Sequence, residues 1–287
     1  MVQEGRWILL FLIIVAVIFV SSGRFGGGGG IKVGSPSSSG TVEEELASRP
    51  LPEPEPLPPL DEKFAPPSKE DSSFKNKVTL SVGNASSEDA NSEYIELSTS
   101  YSNQERANIS GMTVENDKKE RFQIRGGSSL PYAGQVNAQE SIMLDPGARV
   151  YIVTGRSPID TSFRTNVCTG YFVQFHEFEP RLREDCPRPE DESSAKNLQN
   201  DCVDVLETLQ TCRQPLELPF EMTNECRNYA NTEINYAKCV DSHRNNSDFY
   251  QNEWYVYLGR PNEIWKERRD TITLRDRDGK IVDSYSY

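Results

Sequence analysis

Short runs in which apolar and polar residues alternate occupy two separated parts of this 287-residue chain. A period of two buries one face of a β-strand, so the pattern limits the fold more than any other feature. Before the gap, Val78, Leu80 and Val82 alternate with Thr79 and Ser81, and further runs lie at 94–97, 109–114, 122–124, 141–144 and 150–153. After the gap come 254–258, 271–274 and 280–285. Turn residues separate the runs. Asp145, Pro146 and Gly147 precede the 150–153 run, proline fixing φ and glycine free to take positive φ. Asp276, Arg277, Asp278 and Gly279 predict a tight hairpin between the last two runs, Asp-Gly supplying the left-handed positions. Many short strands with few helices between them predict a mainly β fold, a sandwich in which both parts of the chain supply neighbouring strands.

The gap holds every cysteine: Cys168, Cys186, Cys202, Cys212, Cys226 and Cys239. An even number in a non-cytosolic chain predicts disulfides, and zinc ribbons or fingers need closely paired thiolates that this spacing lacks. Around residues 196–213 the period becomes helical, placing Leu198, Cys202, Val205, Leu206, Leu209 and Cys212 in an arc of about 120°. Pro215 and Pro219 end that helix, and a second stretch runs over 223–243. An antiparallel hairpin of the two pairs Cys212 with Cys226 and Cys202 with Cys239, leaving Cys168 to Cys186. Cys226 and Cys239 sit about 220° apart on an ideal helix, so the second helix must break, and Asn231-Thr232 is the expected place. The spacing resembles that of helix-hairpin proteins stapled by two cysteines per helix.

Trp7 and Val20 bound an unbroken apolar run, flanked by Arg6 and Arg24. Its length fits both a signal-peptide core and a short spanning helix. We read 1–24 as an uncleaved membrane anchor, cleavage being the alternative, with the bulk of the chain outside. The following stretch, 25–75, carries five consecutive glycines, a serine patch and the run RPLPEPEPLPPL, which predicts a disordered stalk packed against nothing.

Lys and Arg number 31 against 44 Asp and Glu, a formal charge of −13, which repels phosphate backbones and excludes nucleic acid as a partner. His176, beside Glu177 and Glu179, and His243 are the two histidines; a metal site joining them is not expected, since neither a helical His pair nor close cysteines accompany them. His243 suits the end of a helix. Asp276, Asp278 and Gly279 form half a calcium loop, but Lys280 and Ile281 follow where oxygen ligands belong. Ser157, Thr161 and Ser162 have no His and acid at triad spacing, and Gly126-Gly127 lacks the strand-to-helix switch of a phosphate loop. No catalytic residue, cofactor or metal is therefore expected. Phe249, Tyr250, Trp254, Tyr255, Tyr257 and Trp265 make the densest aromatic stretch. Most should be core, and Phe249, Tyr250, Trp254, Tyr255 and Trp265 are the candidates for a contact surface.

Four pieces carry a family resemblance: EYIELS from Glu93, NISGMTV from Asn108, IMLDPGARVYIVTG from Ile142, and RDTITLRDRDGKIVDSYSY from Arg269 to the end. In this order they resemble the lamin tail domain in its bacterial, envelope-associated form. The resemblance implies an immunoglobulin-like β-sandwich over 76–157 and 252–287 used as a binding or structural module. Met112 stands where the family commonly has Trp, and the cysteine-bearing insertion at 158–251 has no counterpart in it. The expected function is thus a non-enzymatic module anchored at the cell envelope, meeting an envelope protein or glycan. The alternative is an accessory domain of an extracellular hydrolase system, with a metal-dependent enzyme a distant third.

Overall fold

A computed structural model describes residues 72–220 and 222–287. The strands are β1 (Val78–Ser81), β2 (Tyr94–Thr99), β3 (Ala107–Asn108), β4 (Thr113–Glu115), β5 (Arg121–Gln123), β6 (Met143–Leu144), β7 (Arg149–Val153), β8 (Phe163–Asn166), β9 (Tyr250–Tyr257), β10 (Thr271–Arg275) and β11 (Ile281–Ser286). They form a five-stranded sheet in the order β1-β2-β7-β9-β8, a four-stranded sheet in the order β11-β10-β4-β5, and the small pair β3-β6.

Strands from before and after the cysteine window pair in both larger sheets. In one, β7 and β9 run parallel, with Arg149 opposite Glu253 and Val153 opposite Tyr257. In the other, β10 lies antiparallel to β4, with Leu274 opposite Val114. A single hydrophobic core draws on both sheets: Leu97, Val150 and Trp254 from the first, Val114, Ile272 and Val282 from the second. Each fully buried aliphatic side chain of this kind contributes about 1.5–3 kcal/mol. Met112 is fully buried in the same core, its unbranched thioether filling the space available there. The edges meet where the Leu80 N–H donates to Asp283 Oδ2 at 2.7 Å, which occupies a backbone donor of edge strand β1 with a β11 carboxylate.

Both faces of the five-stranded sheet are covered. Val150, Ile152, Trp254 and Val256 face the shared core, while Tyr151, Phe163 and Tyr255 build a second, aromatic layer with Phe172, Phe178 and Leu182. Phe163 and Tyr255 stack with centroids 5.4 Å apart, and Tyr94 meets Tyr151 edge-on at 5.8 Å. A strand buried on both sides loses its alternation, which is why β7 and the second half of β9, from Trp254, read as nearly continuous apolar runs.

The helical segment is smaller than the sequence suggests. Helix α1 (Asn200–Leu206) stops well short of residue 213; the Thr208 hydroxyl donates to the Val205 carbonyl just beyond its end, at 2.7 Å. Helices α2 (Asn224–Glu233) and α3 (Tyr236–His243) are separate. Thr223 caps α2 and Asn235 caps α3 through backbone N–H groups three residues on, so the break falls at Ile234-Asn235 and not at Asn231-Thr232.

All six cysteines are in disulfides, with pairings that differ from the hairpin expectation: Cys168–Cys239, Cys186–Cys212 and Cys202–Cys226. The reason is local. Cys212 lies beyond α1 at φ 60°, where it meets Cys186 instead of a facing helix. Cys202 then meets Cys226 in the first turn of α2, and the break before α3 gives Cys239 to Cys168, two residues past β8.

Three further expectations change. The insertion cannot begin at residue 158 or end at 251, because β8 and the start of β9 belong to the sheet. The stalk does not reach residue 75 unpacked, since Ser72 is buried and Phe74 packs against the shared core. The anchor run bounded by Trp7 and Val20, and the stalk up to residue 71, lie outside the described residues. Among those described, no helix is long and apolar enough to cross a membrane. Three disulfides fit an oxidising compartment.

Candidate functional site

Buried carboxylates organise the loop between β9 and β10. Glu93, wholly buried just before β2, accepts the backbone N–H groups of Ile264 and Trp265 on its two oxygens, each at 3.0 Å. Burial pushes its carboxyl above the usual range, partly offset by these hydrogen bonds. Asp270, at the other end of the loop, accepts from the backbone of Thr271 and Asp117 on Oδ1 and of Lys266 on Oδ2. The last residue adds a strut, Tyr287 donating its hydroxyl to the Lys266 carbonyl at 2.6 Å. Residues far apart in sequence thus hold this loop against the β4–β5 hairpin.

Between them lies a cleft of about 920 Å³, bordered by Asp117, Lys118, Arg121, Arg260, Glu263 and Arg268 among others. Its base is polar but firmly tied. Glu115, buried behind it, receives a two-pronged contact from Arg275 at 2.8 and 3.0 Å, with Arg121 at 2.8 Å and Lys119 at 3.3 Å. The Arg275 contact, joined by those of Arg121 and Lys119, lowers its pKa to about 2 against the opposing effect of burial. Lys266 pairs with Asp117, which raises the ammonium pKa. Arg260 lies over the Phe122 ring, 5.4 Å from its centroid, and Phe122 meets Trp265 edge-on at 6.3 Å. Two buried atoms on this wall lack partners among the described residues, the Trp265 indole N–H and Asp117 Oδ1, a donor and an acceptor. The rim carries Lys118, Glu263, Glu267 and Arg268, all exposed. Edge strand β5 runs beside it, paired only on its β4 side among the described strands. Such an arrangement offers charge-assisted hydrogen bonds of both signs and a free backbone edge, which suits recognition of an extended polar chain.

No protein-family model and no curated protein matches this chain.

The residues singled out from sequence fall elsewhere. Phe249, Trp254, Tyr255 and Trp265 are buried and cannot form a contact surface; they fill the cores that the strands need covered. Of those candidates only Tyr250 is exposed, at 40%, with the Arg164 guanidinium 5.3 Å from its ring centroid. His243, the last residue of α3, places Nε2 2.6 Å from Glu192 Oε1, and His176 lies edge-on to Phe178. No group of three His, Cys, Asp or Glu among the described residues is arranged to hold a metal ion. Asp276 Oδ1 accepts from the backbone of Asp278 and Lys280, and Gly279 sits at φ 80°, the geometry of a closed turn. At Gly126 the chain passes close to Glu140, whose carbonyl would lie 2.5 Å from an added Cβ. Sequence reasoning missed Glu93, Glu115 and Asp270. A lone acid at the margin of a β run was the available signal, and it does not distinguish a buried anchor from a solvated side chain.

Proposed function

We propose that the chain is a non-enzymatic binding module of the immunoglobulin-like, lamin-tail kind, held outside the membrane at the cell envelope, and that it takes an extended polar segment of another envelope protein along β5. The observation that carries the reading is the cleft beside that edge, where unpaired backbone and exposed charges of both signs lie on one wall. Supporting the family reading are the order of the four resembling pieces and the way β10 and β11 complete the second sheet, with Tyr287 closing on the loop it borders. The disulfides and the N-terminal apolar run support the location.

The test is site-specific photocrosslinking in the native envelope with the full chain. A crosslinker at Gln123, exposed on edge strand β5 next to the cleft-lining Phe122, should capture one discrete protein, while one at Tyr101, exposed and away from the cleft, should not. Equal labelling at both positions, or none at Gln123, overturns the proposal.

A further inference from the structure

Two adjoining cavities share Arg156, Ser157 and Tyr257 on their walls. The smaller, about 280 Å³, is also bordered by Arg125, Ser162 and Asp160, none of which borders the β5 cleft. Several of its side chains can donate. Ser157 Oγ accepts from the Ile159 backbone at 3.3 Å and Ser162 Oγ from the Tyr257 backbone at 3.0 Å, so each hydroxyl still has its hydrogen to give. The Tyr257 hydroxyl is buried with no partner among the described residues, a state that costs about 1–3 kcal/mol. Neither the Arg125 nor the Arg156 guanidinium has a hydrogen-bond or ion-pair partner among those residues.

Acids separate the two cavities. Asp160 is the one carboxylate bordering the smaller, whereas Asp89, Glu177 and Glu179 border the larger beside Arg156. Two guanidiniums against one carboxylate make the smaller cavity locally cationic in a chain of net charge −13. A ligand that only accepts hydrogen bonds and carries negative charge complements such a wall.

We propose that the cavity between Arg125 and Arg156 is a binding site for an oxyanion group, a carboxylate or sulfate, which takes hydrogen bonds from the Ser157 and Ser162 hydroxyls and charge from the two arginines. It does not depend on the protein-binding role of β5. The group belongs either to an acidic sugar of an envelope glycan or to a free inorganic ion. Calorimetric titration of the full chain in uncharged detergent, with trigalacturonate in one arm and sodium sulfate in the other at fixed ionic strength, separates these sources. Saturable binding is expected, weakened at least about tenfold by Arg125→Gln combined with Arg156→Gln and unchanged by Lys196→Gln, an exposed side chain that borders neither the cavity nor the β5 cleft. Tighter trigalacturonate assigns the glycan, and tighter sulfate the free ion. Should the double variant melt at a lower temperature, Arg125→Gln alone, at an exposed side chain, carries the test with a severalfold loss. Absence of saturation by both probes up to about 10 mM, or undiminished binding by folded variants, overturns the proposal.

Discussion

At the scale of single residues, two buried glutamates pull stability in opposite directions with pH. Glu115 has its folded pKa lowered from 4.5 to about 2, chiefly by its hydrogen bond with Arg275. Its stabilisation is complete above the unfolded value and is lost as pH falls through about 2. Glu93 is raised by burial, so its penalty is absent below the ordinary carboxylate range and sets in as pH rises through the raised value. Stability should therefore peak in mild acid and fall on both sides, which denaturant midpoints taken across the pH range will show. Glu115→Gln should remove about 3 kcal/mol at neutral pH, because Arg275 and Arg121 lose their charge partner, and should cost far less below pH 2.5. An equal loss at both pH values contradicts this account of Glu115. Neither residue's role was legible beforehand: Glu93 heads the EYIELS strand and Glu115 ends one, and only the fold shows that a loop and three cations converge on them.

At the scale of elements, strands were more legible than helices. Alternation located β1, β2 and β11, which each keep exposed positions, and β10, where Thr271, Thr273 and Arg275 alternate with Ile272 and Leu274 although Thr273 is buried; the Asp-Gly hairpin before β11 could be read from its turn chemistry alone. β8 escaped, since FRTN is short and polar and is recruited as an edge by Phe163 and its pairing with β9. The cysteines were legible as disulfides but not in their connectivity, which depends on α1 stopping at Leu206, ahead of Cys212, and on the break that separates α2 from α3. Peptide mapping of non-reduced protein should find Cys168 joined to Cys239, Cys186 to Cys212 and Cys202 to Cys226. Loop closure favours the first: replacing both members by serine should cost about 4 kcal/mol for Cys168–Cys239, which spans 71 residues, against about 3 for Cys202–Cys226, which spans 24. The reverse order of losses places the first bridge outside the structure that holds the helical segment.

At the scale of the whole described region, the cysteine-bearing segment is an excursion between two neighbouring strands of one sheet. β8 and β9 are adjacent and antiparallel, and the Cys168–Cys239 bridge joins the exit after β8 to the last helix before the return. The aromatic layer of Phe163, Tyr255 and Phe172 then seats the segment against the sheet. Folding of the sheets consequently waits on contacts between residues a hundred apart, and neither half of the β region buries its core alone. That both halves pair could be expected from the two alternating stretches. That β7 and β9 pair in parallel, in mid-sheet, could not, because β7 and the second half of β9 are apolar on both faces and carry no sign of the partner's direction. The deciding measurement is of through-hydrogen-bond scalar couplings by NMR. The account predicts couplings between amides and carbonyls of Arg149–Val153 and those of Glu253 through Tyr257 in parallel register; couplings confined within each half, with none joining the two stretches, would contradict it.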